Sequence, residues 1–348
     1  MLDGIRVLDF TQTIPGPLAS RRLVEFGAEV IKVEPLSGDP ARISETVFQV
    51  LNGSKKSVSL HLKSEQGKEL ARDLIKGTDI ILESFRPGVM RKLGLAYEDI
   101  VHMNPSMIYV SITGYGQRTE TKQLAGHDLN FMAISGLLSQ WKNAQGNPIH
   151  PTITIADLIG GTYAFEKILA ALYEREKRKR GSYLDISITA ALTKMIEVNS
   201  RVKDNELSFL HGEAVCYHLY ETKDNRYVAF AALEYKFWEK FCHEMNCYSL
   251  ITQQFDKAMD GHKTYEVVKE VFKSRTWKEW EEQSFILDCC ITPVYEPHEL
   301  CTSPYTKENI SITPDSTSAP LLGEHTKDIY RLTEEQIEEL MKNKIIGG

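Results

Sequence analysis

No run of apolar residues in this 348-residue chain reaches the roughly 18 to 20 needed to span a bilayer. The first residues, MLDGIRVLDFTQ, read as the start of a strand in place of a signal peptide, so a cytoplasmic location is the default expectation. Cysteine is sparse, with Cys216, Cys242, Cys247, Cys289, Cys290 and Cys301 showing no CxxC spacing. This argues against a disulfide framework, and the thiols read as reduced and mostly structural. Positive charge is not in excess: 41 basic residues against 48 acidic leave a formal charge of -7. No general attraction to nucleic acid or to an anionic membrane follows. GxGxxG and GxxxxGK[ST] are both missing, which removes the usual dinucleotide and triphosphate loops. No metal-ligand cluster is visible.

What is present is a chain with 42% hydrophobic residues, long enough for a large core and for two domains. Short apolar strands are predicted at 5–10, 29–33, 57–60, 79–82 and 107–112, with helices at 18–26 and 63–76 between them. Such alternation specifies an α/β fold: an open, mostly parallel, Rossmann-like sheet, each face covered by crossover helices. Helices over 128–140 and 158–176, a strand at 183–188 and a helix at 190–198 complete a large domain, 1–200. A polar linker near 200–212 leads to a smaller α+β domain, 213–300, with strands at 217–220, 227–231 and 291–294 and helices at 235–246 and 264–271. The remainder, 301–348, begins as a second linker over 301–320. It ends in an amphipathic helix over 333–342, with Thr333 as cap, Gln336 at its third helical position, and Ile337, Leu340 and Met341 seeking a surface to cover.

The pair His127 and Asp157, 30 residues apart, opens two apolar helical runs, GHDLNFMAISGLLS and ADLIGGTYAFEKILAALYERE. If folding joins the two helix starts, an imidazole and a carboxylate face one carbon centre from opposite sides, as two-base proton transfer requires. Plainer readings stand beside this one. Asp157 could simply cap its helix, Asp128 is the better cap for the preceding one, and His127 could be an ordinary loop residue. Glu234 could be an acid favouring a helix start, and the basic tract Arg175 to Arg180 a solvated helix end.

The chain resembles the class III CoA-transferase family, and within it the α-methylacyl-CoA racemase branch. The resemblance is carried by GIRVLDFTQTIPGPLASRRLVEFGAEVIKVEP, GDPAR, ESFRPGVMRKLGL, SITGYGQ, GHDLNFMAISG, ADLIGG, ITPV and LLGEHT, in that order. It implies an intertwined homodimer whose subunits each hold a large and a small domain, with the C-terminal helix returning to the large domain. It places the shared carboxylate at Asp157, the racemase imidazole at His127 within a motif that includes Gly126 and Phe131, and a supporting carboxylate at Glu234. The expected substrate is an acyl-CoA, with coenzyme A part of the substrate, and the expected activity is racemisation at the α-carbon of a 2-methyl-branched acyl chain. The alternatives are CoA transfer between carboxylic acids through an Asp157 adduct, which VEPLSGDPAR favours, and non-catalytic CoA binding.

Candidate contacts to the CoA phosphates are Arg42, Lys55, Lys56, Arg86 and Arg91, with Lys92 a neighbouring alternative, and Gly126 and Phe131 are expected among the CoA-binding residues as well. Arg86 and Arg91 rank first, because they follow a predicted strand end, where open α/β sheets bind ligands. Gly160 and Gly161 are expected to let a thioester approach the first turn of the Asp157 helix.

Overall fold

The computed structural model describes residues 1–143, 145–202, 206–308 and 318–347. It divides into two compact units, Met1–Val198 together with Asp315–Gly348, and Asn199–Pro314. Parts of both expected linkers, 203–205 and 309–317, lie outside the described residues.

The first unit is built on six strands: β1 (Arg6–Asp9), β2 (Glu29–Glu34), β3 (Lys56–Ser59), β4 (Ile80–Glu83), β5 (Ile108–Thr113) and β6 (Ser182–Ser187). Every pairing is parallel, and the spatial order is β3-β2-β1-β4-β5-β6. The order reverses between β1 and β4, the switch point at whose carboxyl edge ligands of open α/β sheets bind. Val30, Val7, Ile80 and Ile108 are register partners across four strands, and all are buried. Each such side chain contributes about 1.5–3 kcal/mol by leaving water.

The helices in the first segment of this unit are α1 (Pro15–Glu25), α2 (Glu45–Asn52), α3 (Glu65–Lys76), α4 (Val89–Leu93), α5 (Tyr97–Ile100), α6 (Asp128–Ser135), α7 (Ile155–Arg178) and α8 (Ile188–Met195), with α9 (Glu197–Arg201) at the unit boundary. One sheet face carries Leu23 of α1, Met132 of α6, Ile168 of α7 and Leu192 of α8. The other carries Ala71 and Ile75 of α3 and Ile100 of α5. Leu340, Ile345 and Ile346, from the C-terminal segment, join this second face.

Several boundaries differ from the sequence reading. The helix expected over 128–140 stops at Ser135, because Gly136 takes φ +85° and ends it with a left-handed cap before a 3-10 turn over Leu137–Gln140. The next begins three residues earlier than expected, at Ile155, so Asp157 is its third residue and not its cap. The α2 helix, capped by Ser44, was not anticipated.

In the second unit β7 (Tyr217–Glu221), β8 (Tyr227–Ala231) and β9 (Ile291–Pro293) form an antiparallel sheet in that order. It packs with α10 (Tyr235–Glu244), α11 (Lys263–Lys273) and α12 (Trp277–Leu287) around Trp238, Phe241, Phe272 and Trp280. The α12 helix was missed in sequence although its Thr276/Glu279 capping box is legible there. Back in the first unit, after α13 (Thr326–Tyr330), the terminal α14 (Glu334–Lys342) has the expected Thr333/Gln336 capping box. Leu340 is buried and Ile337 packs beside it, whereas Met341 stays exposed.

Candidate active site

The loop before α6 is shaped by packing. A Cβ on Gly126 would fall 2.6 Å from the Tyr115 hydroxyl and 2.8 Å from the Phe131 ring, so only glycine fits there. Tyr115 and Phe131 meet edge to face at 5.4 Å, and Phe131 is buried in the core. Gly126 and Phe131, expected among the CoA-binding residues, hold the loop down from beneath. His127 is left in the position that precedes the helix. Its N–H donates to Asn130 Oδ1 (3.1 Å), its carbonyl accepts from the Asn130 and Phe131 N–H groups, and its ring is exposed.

Asp128 does not cap its own helix. Its Oδ1 accepts the N–H of Asp157 at 3.0 Å, one of the orphan donors of the first turn of α7. This single bond joins the two helix starts that carry His127 and Asp157. The Asp157 carboxyl meets no hydrogen-bond or ion-pair partner among the described residues. Its pKa is pushed up from 3.8 to about 6, first by burial, then by repulsion from Asp128, with attraction to His127 opposing. The capping reading of Asp157 would have required a depressed pKa, so it fails on both position and charge. A half-buried carboxyl that is ionised only above about pH 6, beside an accessible imidazole, is equipped to take up and return a proton or to attack a carbonyl.

The two glycines of ADLIGG serve helix packing. A Cβ on Gly160 would lie 2.8 Å from Ile188, and one on Gly161 only 2.6 Å from the Pro15 carbonyl, so both point into neighbouring elements and not toward a ligand.

The five cationic candidates separate by burial. Lys55 is 3% exposed, and its Nζ donates to Asp9 (3.2 Å), Ser20 (2.7 Å), Asn52 (2.9 Å) and the Pro17 carbonyl (3.1 Å). Such an ammonium has no donor to offer a phosphate. Arg42 makes a two-pronged pair with Glu34, both bonds 2.7 Å, and lies over the Phe48 ring. Lys56 starts β3, at the amino edge of the sheet, and pairs with Glu29 at 2.5 Å. All three ammonium or guanidinium groups are engaged by carboxylates of the fold.

Arg86 and Arg91, by contrast, border a cleft of about 570 Å³ with Arg118 and Lys122. Tyr97, Tyr109, Tyr183, Ser111 and Glu83 line it, and Glu83, 3% exposed, is pushed up to about 7 chiefly by burial. Arg91 has only a long contact to Glu98 (3.6 Å), and Arg86, Arg118 and Lys122 have no ion pair among the described residues. Arg118, Lys122 and Glu83 were not singled out in sequence, although Glu83 opens the ESFRPG motif.

Glu234 belongs to the second unit, at the residue preceding α10. Among the described residues no group of three or more His, Cys, Asp or Glu side chains could hold a metal, and no helix is long and apolar enough to cross a membrane.

Residues 2–326 match the family described as CoA-transferase family III. The α-methylacyl-CoA racemase of Mus musculus is 30% identical over 378 residues, covering 99% of this chain and 97% of its own length. The succinyl-CoA:glutarate CoA-transferase of Homo sapiens is 32% identical over 299 residues, covering 80% of this chain and 68% of its own. Among solved structures, the hypothetical protein Rv3272 of Mycobacterium tuberculosis superimposes with a TM-score of 0.82 at 28% identity, covering 94% of this chain and 99% of its own.

Proposed function

The chain belongs to CoA-transferase family III and is an enzyme of that family, and from this premise we propose that it exchanges the α-proton of a 2-methyl-branched acyl-CoA and so interconverts the two configurations. The observation that carries the proposal is the Asp128–Asp157 bond, which sets the accessible His127 imidazole at one helix start and the Asp157 carboxyl at the other within electrostatic reach of each other. In one direction Asp157 takes the α-proton and His127 returns one to the opposite face of the planar enolate; in the other the roles reverse. The positive end of the 24-residue α7 favours the negative charge that builds on the enolate oxygen. Coenzyme A enters as part of the substrate, and Arg86 and Arg91 are the candidates that the fold leaves available for its phosphates.

CoA transfer is the second reading, and the comparisons back it better than the first. Relatives named for succinyl-CoA:glutarate, (R)-2-hydroxy-4-methylpentanoate and formyl-CoA:oxalate CoA-transferase activity all match this chain. Here Asp157 attacks the thioester carbonyl and CoA leaves as thiolate; the thiolate attacks the aspartyl carbonyl of the anhydride, releasing the first carboxylate and leaving an aspartyl-CoA thioester. A second carboxylate displaces the thiolate to form a new anhydride, which the thiolate opens at the acyl carbonyl to give the new acyl-CoA and free Asp157. His127 separates the two chemistries. In deuterium oxide without an acceptor acid, the wild type should place deuterium at the α-position, and His127→Ala should abolish this. Failure of the wild type to exchange over a panel of 2-methylacyl-CoAs, with an Asp157 adduct and acid-dependent transfer that survive His127→Ala, would establish transfer instead.

We also assign the active form as an intertwined homodimer. The helices α6, α7, α8 and α9 expose Leu129, Ile134, Leu158, Met195 and Val198, apolar side chains that a partner surface would cover. In such a dimer Glu234 would come to His127 from the partner chain, as the family resemblance implies.

A further inference from the structure

The loop between β1 and α1 is clamped by side chains. The N–H of Thr11 donates to Asp9 Oδ1 (2.9 Å), that of Gln12 to Ser84 Oγ (3.1 Å), and that of Thr13 to Asp39 Oδ1 (3.1 Å). The three acceptors come from the end of β1, the residue after β4 and the turn after β2, so three strand ends grip three consecutive residues. Thr13 sits at φ +65°, in the left-handed region that a β-branched residue avoids. Such strain persists only where the surroundings over-determine it.

What determines it here is a fully buried ion pair. Asp39 is 2% exposed and its other carboxylate oxygen lies 2.7 Å from the ammonium of Lys32, which has no exposure and also donates to the Thr11 carbonyl at 2.9 Å. Asp39 Oδ1 accepts from the Ala41 N–H as well, at 2.8 Å. A buried pair of this kind is weak evidence for stability, since desolvation consumes most of its attraction. Its effect is to fix a geometry.

The loop that it fixes adjoins the reacting carboxyl. The loop runs into Pro15, whose carbonyl is the atom that a Cβ on Gly161 would strike. Gly161 lies four residues after Asp157, one turn along the same face of α7, so the face that meets Pro15 is the face that carries Asp157.

We infer that Lys32 and Asp39 are positioning residues for the Asp157 centre: acting through Thr13, they hold Gln12–Ile14 as the fixed wall of the reaction site on the α1 side. This rests on the reading above that Asp157 is the reacting carboxyl. Neither residue touches substrate.

The test replaces both partners together, Lys32→Met with Asp39→Ala, so that no buried charge is left alone. In this variant the Thr13 amide should lose its protection from hydrogen exchange, and the Asp157 carboxyl, followed by carbon-13 NMR, should titrate below its wild-type midpoint. Turnover, by exchange or transfer, should fall about tenfold or more while KM for the acyl-CoA changes less than about threefold, the pattern of lost orientation. Adding Thr13→Gly, which carries no penalty at a left-handed position, should restore part of the turnover. If the pair variant does not fold, Thr13→Pro, which cannot adopt a positive φ and has no N–H, breaks the clamp without touching the pair and should show the same losses.

Wild-type turnover and a wild-type Asp157 titration in a folded variant whose loop has been released would overturn the inference. Absence of any acyl-CoA turnover in the wild type would sink the functional reading alone, because the Asp157 titration still decides whether the clamp acts on that carboxyl.

Discussion

Replacing Asp157 with asparagine should make the folded protein more stable at neutral pH, although the residue lies in the proposed reaction centre. Its carboxyl stands at about 6 in the fold against 3.8 for the free group, through burial first and the Asp128 charge second. Because the folded-state value is the higher one, the fold binds this proton more tightly than the unfolded chain does. The favourable contribution is complete below pH 3.8 and is lost as pH rises through about 6. Above that the ionised carboxylate is a net cost, for which the gap in pKa sets an upper limit of about 3 kcal/mol. Solvent reaching the half-buried group should reduce this to about 1–2 kcal/mol. Asparagine keeps the shape and removes the charge.

Amide hydrogen exchange of the β4 and β5 core reads the opening free energy of the first unit directly. At pH 7 the Asp157→Asn variant should exchange roughly 5- to 30-fold more slowly than wild type, which is the same 1–2 kcal/mol. Near pH 4 the difference should shrink toward zero. A variant that is less stable than wild type at pH 7, or one that gains equally at both pH values, would refute the reasoning. The expected pattern is that of a site which holds an unfavourable charge for the sake of chemistry.

Arg91→Ala should weaken CoA binding about tenfold, as loss of one phosphate contact does, whereas Lys55→Met should leave the affinity of the folded fraction unchanged and cost about 3–5 kcal/mol of stability by stranding Asp9; calorimetric titration with CoA and urea unfolding check the two, and a binding loss confined to Lys55→Met would reverse the assignment. Dilution should not yield compact active monomers, and Asp157→Ala and Glu234→Ala chains unfolded and refolded together should regain activity in mixed dimers. A compact, fully active monomer in light scattering would defeat the dimer assignment.

Much of the first unit is legible from local pattern. The strands at Arg6–Asp9, Glu29–Glu34 and Ile108–Thr113 fall within a residue or two of where the sequence pattern places them, because short β-branched and apolar stretches bounded by turn residues mark them locally. The Thr333/Gln336 box was equally readable, as both partners lie within one helical turn. The break at Gly136 and the early start at Ile155 were not. A glycine inside an apolar pattern does not announce its φ, and a helix start depends on what receives its free N–H groups.

His127 and Asp157 stood out in sequence because motif and helix pattern are local properties. Residue order alone therefore determined the α/β layout, the absence of nucleotide-loop signatures and the two apolar helical runs beside which the candidate chemistry lies. Only the tertiary structure decided which charges remain free to act. Lys55, Arg42 and Arg86 are all cations by residue type, yet Lys55 is closed in by Asp9, 46 residues away, Arg42 by Glu34, and Arg86 lines an open cleft. The same holds for Asp128, which caps a helix 29 residues away, and for Asp39, which holds Thr13 from the next crossover. The physical reason is that a charge acts through desolvation and through neighbours within a few ångströms, and folding, not sequence separation, sets both.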